Sequence, residues 1–196
     1  FDPSLFTKRS LNSNFDKSQK LISIKNNLID EIYKNKKLKR KKFYSLPTQS
    51  VGESHQSKIN KIQNILKLKK VDYLFISSPE NVAWLMNIRG YDSPTSPIPN
   101  SRLLIGNNKK IFFIVDKNIA SKIIREKKFQ KNQIINPEKF DELINSLNGS
   151  KFITDSLSCS ILNEKIIKSK FKIIYEEDPC YKLKSIKNST EIKNTI

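Results

Sequence analysis

Residues 71 to 115 read VDYLFISSPENVAWLMNIRGYDSPTSPIPNSRLLIGNNKKIFFIV. The stretch opens with VDYLFIS, Val71 to Ser77, a short apolar run of the kind found in strands buried on both faces. A helical pattern follows, with Val82, Leu85 and Met86 on one face and Trp84 and Ile88 flanking it. Gly90, Pro94, Pro97 and Pro99 then fall close together in a chain that has four glycines and eight prolines in all. Proline has no N–H and drives the residue before it into extended geometry, so the chain is expected to leave the helix at Gly90 as a stiff, solvated ribbon. Two strands, RLLIG and KIFFIV, separated by the turn residues Asn107 and Asn108, close the stretch as a hairpin.

The pattern extends in both directions. Upstream, Ser54 is a suitable N-cap for a helix carrying Ile59, Ile62, Ile65 and Leu66 on one face and ending near Lys70. Downstream come a helix over Ile119 to Glu126, a short strand at Gln133 to Ile135, and a helix opened by Pro137 and ended by Gly149. A strand KFIT, a helix from Cys159 to Lys168 and a strand FKIIY then precede Asp178 and Pro179. Strands alternating with helices predict an α/β fold, with a mixed sheet flanked by helices on both faces and the hairpin supplying its antiparallel part. No period of 20 to 50 residues recurs, which argues against a solenoid.

Residues 19 to 33, QKLISIKNNLIDEIY, predict a short strand centred on Leu21 to Ile24 and a helical turn or two through Leu28, Ile29 and Ile32. So few apolar groups cannot form a core alone, and the segment reads as the tail of a preceding domain. The formal charge is +18. Seven positive charges lie in KNKKLKRKK, Lys34 to Lys42, and the remaining +11 is spread over the other residues among Asn and Ile. That distribution favours a solvated basic linker on a lysine-rich surface over a nucleic-acid arm. Cys159 and Cys180 have no CxxC or neighbouring histidine, as expected of reduced thiols in a cytoplasmic protein. The longest aliphatic and aromatic run, Ile111 to Val115, is too short for a bilayer. The chain starts with Phe, and its last segment, NSTEIKNTI, sets Asn188 three residues before Glu191 as a helix start. Both ends are therefore expected to continue in a longer protein.

Chemistry-bearing patterns are sparse. Gly52, Gly90, Gly106 and Gly149 are too dispersed for a phosphate-cradling loop. His55, the only histidine, lies in the first turn of a helix without evident partners. Glu176, Glu177 and Asp178 are consecutive, so they point in different directions and read as a solvated turn rather than a metal site. Arg89 and Asp92 are the best functional candidates, since they flank the glycine on a proline-stiffened loop; the plainer reading is an ion pair that staples the loop. Trp84 and Met86 are most simply packing residues. The residues alone thus give a mixed α/β domain without a catalytic constellation.

The stretch GESHQSKINKIQNILKLKKVDYLFISSPENVAWLMNIRGYDSPTSPIPNSRLLI resembles the middle domain of three-domain Xaa-Pro aminopeptidases. Its pattern there is G-E-S-S, D-K, a helix, A-D-A-L, then I-A-W-L-L-N-x-R-G-x-D-x-P-x-x-P. Gly52, Glu53, Ser54, Lys58, Asp72, Ala83, Trp84, Leu85, Asn87, Arg89, Gly90, Asp92, Pro94 and Pro97 fall on it in register. FDPSLFT and NNLIDEIY resemble stretches near the end of the family's first domain, and EEDPCYKLKSIKNSTEI resembles the segment leading into its catalytic domain. His55 and Ser57 depart from the pattern at the helix start, and Tyr91 and Thr95 vary within the loop.

The resemblance implies a creatinase/prolidase-type N-terminal fold and a division into residues 1–33, the tail of a first domain; 34–51, a basic linker; 52–178, a second α/β domain; and 179–196, a connector to the catalytic domain. It implies a parent enzyme that removes the residue before proline from peptides, using two manganese or zinc ions whose five ligands lie beyond Ile196. This chain is then expected to be inactive alone, to hold no metal and to serve substrate access and assembly in a cytoplasmic homodimer. Trp84, Arg89 and Asp92 are its candidate access-loop residues. The alternatives are a protein-binding relative of the same fold and, less favoured, a basic nucleic-acid binder.

Overall fold

The computed structural model describes residues 1–24, 27–32, 41–93 and 95–196. Most of the basic run, residues 34–40, and Pro94 of the loop lie outside the described residues. Two short helices, α1 (Lys8–Asn14) and α2 (Leu28–Ile32), precede strand β1 (Tyr44–Ser45) and a one-turn helix α3 (Thr48–Val51). Then come α4 (His55–Lys69), β2 (Tyr73–Ile76), α5 (Pro79–Met86), β3 (Ile88–Arg89), β4 (Arg102–Gly106) and β5 (Ile111–Ile114). The rest is α6 (Lys117–Glu126), β6 (Ile134–Ile135), α7 (Phe140–Ser146), β7 (Lys151–Thr154), α8 (Ile161–Lys168), β8 (Lys172–Tyr175), α9 (Pro179–Ser185) and α10 (Ser189–Lys193).

Six strands form one mixed sheet in the order β6-β5-β4-β2-β7-β8. The hairpin β4/β5 and the β2/β4 pair are antiparallel, whereas β6 on β5 and β7 and β8 beyond β2 run parallel. Register puts Leu74 opposite Ile105 and Phe75 opposite Leu104, so alternate residues of β2 enter two different apolar clusters. One cluster joins Leu74, Ile76 and Leu103 to Ile59, Ile62 and Leu66 of α4, Val82 and Leu85 of α5 and Ile123 of α6. The other joins Tyr73, Phe75 and Leu104 to Phe140 and Ile144 of α7 and Ile167 of α8. The fold is thus the expected three-layer arrangement, and each fully buried Leu, Ile or Phe contributes about 1.5–3 kcal/mol.

Five local expectations are corrected. No strand forms at Leu21 to Ile24; this segment is tied to the first residue, with the Phe1 amino group donating to the Ile22 carbonyl and the Ile24 N–H to the Phe1 carbonyl. Helix α5 ends at Asn87 rather than Gly90, because Asn87 takes the left-handed conformation (φ 52°) as its C-cap. Ile88 and Arg89 then pair antiparallel with Ser45 and Tyr44, a long-range contact that no local pattern announces. Gly90 serves a close approach instead: a Cβ there would stand 2.7 Å from Pro99 Cα. Pro137 opens a 3-10 turn, Pro137–Lys139, before α7. Cys159 lies outside α8, which Ser160 caps. Asp178 is buried, not solvated, and its side chain caps α9, a helix the sequence reading missed although an Asp-Pro start is its signal.

Candidate functional site

Three distant stretches converge beside β1 and β3. Gly52 adopts a left-handed conformation (φ 76°) and turns the chain from α3 into Glu53 and Ser54, whose hydroxyl caps α4 by accepting from the Ser57 N–H. One turn into α4, Lys58 is only 1% exposed. Its Nζ donates to the Trp84 carbonyl at 2.9 Å and to Asn87 Oδ1 at 2.7 Å, and lies 4.2 Å from the Trp84 ring centroid. Asn87 in turn donates through Nδ2 to the Glu53 carbonyl at 2.8 Å. Burial pushes the Lys58 ammonium down to about 8, against the opposing pull of Glu191 and Glu53.

The third stretch is α10. Asn188 caps it reciprocally with Glu191, as the sequence predicts, and its Nδ2 reaches back to the Val51 carbonyl at 2.9 Å. Asn194 Nδ2 donates to the Ser50 carbonyl at 3.1 Å, so α10 is fastened to α3 by two side-chain amides. Between these elements lies a cavity of about 310 Å³ whose lining includes Lys58, Trp84, Asn87, Arg89, Lys187 and Glu191.

Arg89 and Trp84 therefore meet at one site, and Asp92 is not in its lining. The half-buried Arg89 guanidinium donates through Nη1 to the Ile88 and Ala83 carbonyls at 2.8 and 3.4 Å. Burial also lowers its affinity for its proton. Asp92 instead accepts from the Asn100 N–H at 2.7 Å, closing the proline loop together with the bond from the Gly90 N–H to the Pro97 carbonyl. The sequence reading passed over Lys58, Asn87, Lys187 and Glu191 as site residues. The available signal is Lys58 itself, a lysine adjoining the apolar stripe that begins at Ile59. This set of cations, amides and hydroxyls is suited to binding and positioning.

A second polar cluster sits at the C-terminal ends of β2, β7 and β8. Asp155 accepts from the N–H groups of Leu157 and Asp178, and Asp178 accepts from the Cys180 N–H and from Asn81 Nδ2 at 2.7 Å. Asn81 Oδ1 accepts from Lys184 Nζ at 2.6 Å, and Tyr181 bonds to Ser78 and Glu80. Burial raises the Asp178 carboxyl above its ordinary range, and its hydrogen bonds pull the other way. Cys159 and Cys180 are free buried thiols. Among the described residues no three His, Cys, Asp or Glu side chains are grouped to hold a metal ion, so the described residues do not fit a dimetal centre. No described helix is long and apolar enough to cross a membrane.

The chain is 28% identical over 184 residues to the Xaa-Pro aminopeptidase ApepP of Drosophila melanogaster, covering 90% of this chain and 30% of that protein. Over 186 residues it is 26% identical to a probable Xaa-Pro aminopeptidase P of Laccaria bicolor, covering 90% of this chain and 28% of the relative. Among solved structures, an X-prolyl aminopeptidase of Caenorhabditis elegans, described as a cytosolic enzyme with a di-nuclear active site, superimposes with a TM-score of 0.73. That match is 22% identical, covers 88% of this chain and 29% of the other, and supports the fold. The chain thus spans less than a third of the length of these relatives. The family profile of the creatinase/prolidase N-terminal domain matches residues 34–191. The chain belongs to the creatinase/prolidase N-terminal domain family.

Proposed function

We propose that the chain is a non-catalytic portion of a metal-dependent Xaa-Pro aminopeptidase, the parent enzyme removing the residue that precedes proline at the start of a peptide. The observation that carries this reading is the seam just described. Residues 52–58, 84–89 and 187–191 all belong to stretches that resemble the peptidase pattern, and they meet where α10 is tied down by Asn188 and Asn194. Residues in register with a family pattern and converging in space are best explained by a shared task, here fixing the direction in which the chain leaves the domain.

In this reading residues 1–33 end a first domain, 34–51 link, 52–178 form the second domain, and 179–196 lead to the catalytic domain. The two ions, manganese or zinc, and their ligands belong to that catalytic domain, so no step of hydrolysis is placed on the described residues. The helix–loop bearing Trp84, Arg89 and Asp92 packs beside the neighbouring domain and shapes peptide access, in a cytoplasmic, homodimeric parent. The test is hydrolysis of a short X-Pro peptide with manganese, comparing the 196-residue chain with the product of the reading frame continued past Ile196. Cleavage by the longer product alone supports the proposal. Cleavage by the 196-residue chain, or none by a longer product that carries all five ligands, refutes it, the latter in favour of a protein-binding relative.

A further inference from the structure

We propose that the cavity bordered by α3, α5 and α10 binds a compact oxyanion of the phosphate type, gripped by Lys58, Arg89 and Lys187 together with the indole N–H of Trp84. The inference is independent of the peptidase reading and concerns a ligand that the reading does not require.

The first support is the charge arrangement. On the open surface Lys61, Lys69, Lys122, Lys139 and Lys168 each stand within 4 Å of a carboxylate. The three cations of the cavity are answered differently: Lys58 by the Trp84 carbonyl and Asn87 Oδ1, Arg89 by two backbone carbonyls, and Lys187 by the Lys184 carbonyl at 2.9 Å. None has a salt-bridge carboxylate among the described residues. Glu191 is the one acid in the lining, and its Oε2 already accepts from the Asn188 N–H. Three cations line the cavity against Glu191, with Glu53 acting on Lys58 from outside the lining, so positive charge remains in excess in a partly desolvated space, where an anion is attracted more strongly than on an open surface.

The second support is an orphaned donor. Trp84 Nε1 is buried and has no acceptor among the described residues. Buried donors are nearly always satisfied, and an indole N–H can only donate, so Trp84, one of the side chains lining the cavity, carries an unmet donor. An oxyanion supplies acceptors and negative charge together. The choice of phosphate over a carboxylate follows from the donors, which come from four separate elements or loops; a tetrahedral group meets donors from several directions, whereas a planar carboxylate favours one in-plane fork. Lys58 is fixed by two hydrogen bonds and by burial, so the positive charge it carries below about pH 8 is held at the site and cannot swing into solvent.

Trp84 is the only tryptophan of the chain, which makes its fluorescence a direct reporter. Inorganic phosphate is titrated into the 196-residue chain at constant ionic strength, with chloride as the compensating salt. The expected result is a saturable change in emission, weakened roughly tenfold in Arg89→Gln and in Lys187→Gln. Lys187 is exposed, so its variant reports on binding even if Arg89→Gln unfolds. Trp84→Phe, read by thermal shift, should lose part of the stabilisation by phosphate. Phosphoserine and malonate form the other arms. Response to phosphoserine as well as phosphate supports the site with an ester as its source; tighter binding of malonate than phosphate overturns the class. No saturable response, an equal response to chloride, or full retention in both variants overturns the site.

Discussion

The two polar clusters of this domain are built from similar groups and differ in how completely their hydrogen bonds close. At the strand ends, all four carboxylate oxygens of Asp155 and Asp178 accept from an N–H, and Lys184 finishes the chain of bonds through Asn81. At the cavity, among the described residues, three cations hydrogen-bond to neutral acceptors and one indole donor has no acceptor. With its carboxylate oxygens engaged, the strand-end network acts as a rivet between α5, β7 and α9, and its one unmet group is the buried Thr154 hydroxyl at the end of β7, which has no partner among the described residues. A network with surplus donors has unused binding capacity, which costs stability in the free protein and is recovered when a ligand arrives.

The largest effect should come from opening the closed cluster. Asp178→Ala strands Asn81 Nδ2 and the Cys180 N–H and removes a carboxylate near Lys184, and we expect a loss of about 3 kcal/mol in chemical denaturation. Lys58→Met comes next, at about 2 kcal/mol near pH 7, since Asn87 Oδ1 loses its donor while the desolvation cost of the ammonium is also removed. This variant carries a pH signature. The folded-state value of Lys58 is about 8, below its ordinary 10.5, so between these limits the unfolded chain binds more protons and wild-type stability gains from this group as pH rises. The gap between wild type and Lys58→Met should therefore widen from pH 8 to 10.5; a constant gap would show that Lys58 is not the group responsible.

Gly52→Ala should cost about 1.5 kcal/mol, because φ is 76° there and a Cβ would press on the Asn188 amide that holds α10. Proteolysis after Lys187 and Lys193 should quicken before the sheet unfolds. Smallest is Lys187→Gln, below about 0.5 kcal/mol. If Lys187→Gln destabilised as much as Asp178→Ala, the cavity cations would be structural and the contrast between the two clusters would fail.

Much of the fold is legible in the sequence. The alternation through β2 separates Tyr73 and Phe75 from Leu74 and Ile76, Ser54 announces α4, and Asn188 with Glu191 announces α10. The site was legible only in part. Trp84 and Arg89 were singled out and do share a cavity, but Asp92 was grouped with them by sequence proximity and lies outside it. Lys58 and Glu191 carry other readings in the sequence, a position on the family pattern and half of a capping box, because a lysine beside an apolar stripe and a glutamate at a helix start look like ordinary surface residues.

Sequence by itself determined the main sheet strands, the starts of α4 and α10 and the mixed sheet, because periodicity, capping and turn chemistry act between residues a few positions apart. Tertiary structure alone decided that Asn87 rather than Gly90 ends α5, that β3 pairs with β1, and that Asp178 and Lys58 are buried. Each of these depends on partners far along the chain, as with Asn81 and Asp178, 97 residues apart, or Lys58 and Asn87, 29 apart. The environment of a polar side chain is set by what packs against it, and that is known only once distant segments have met.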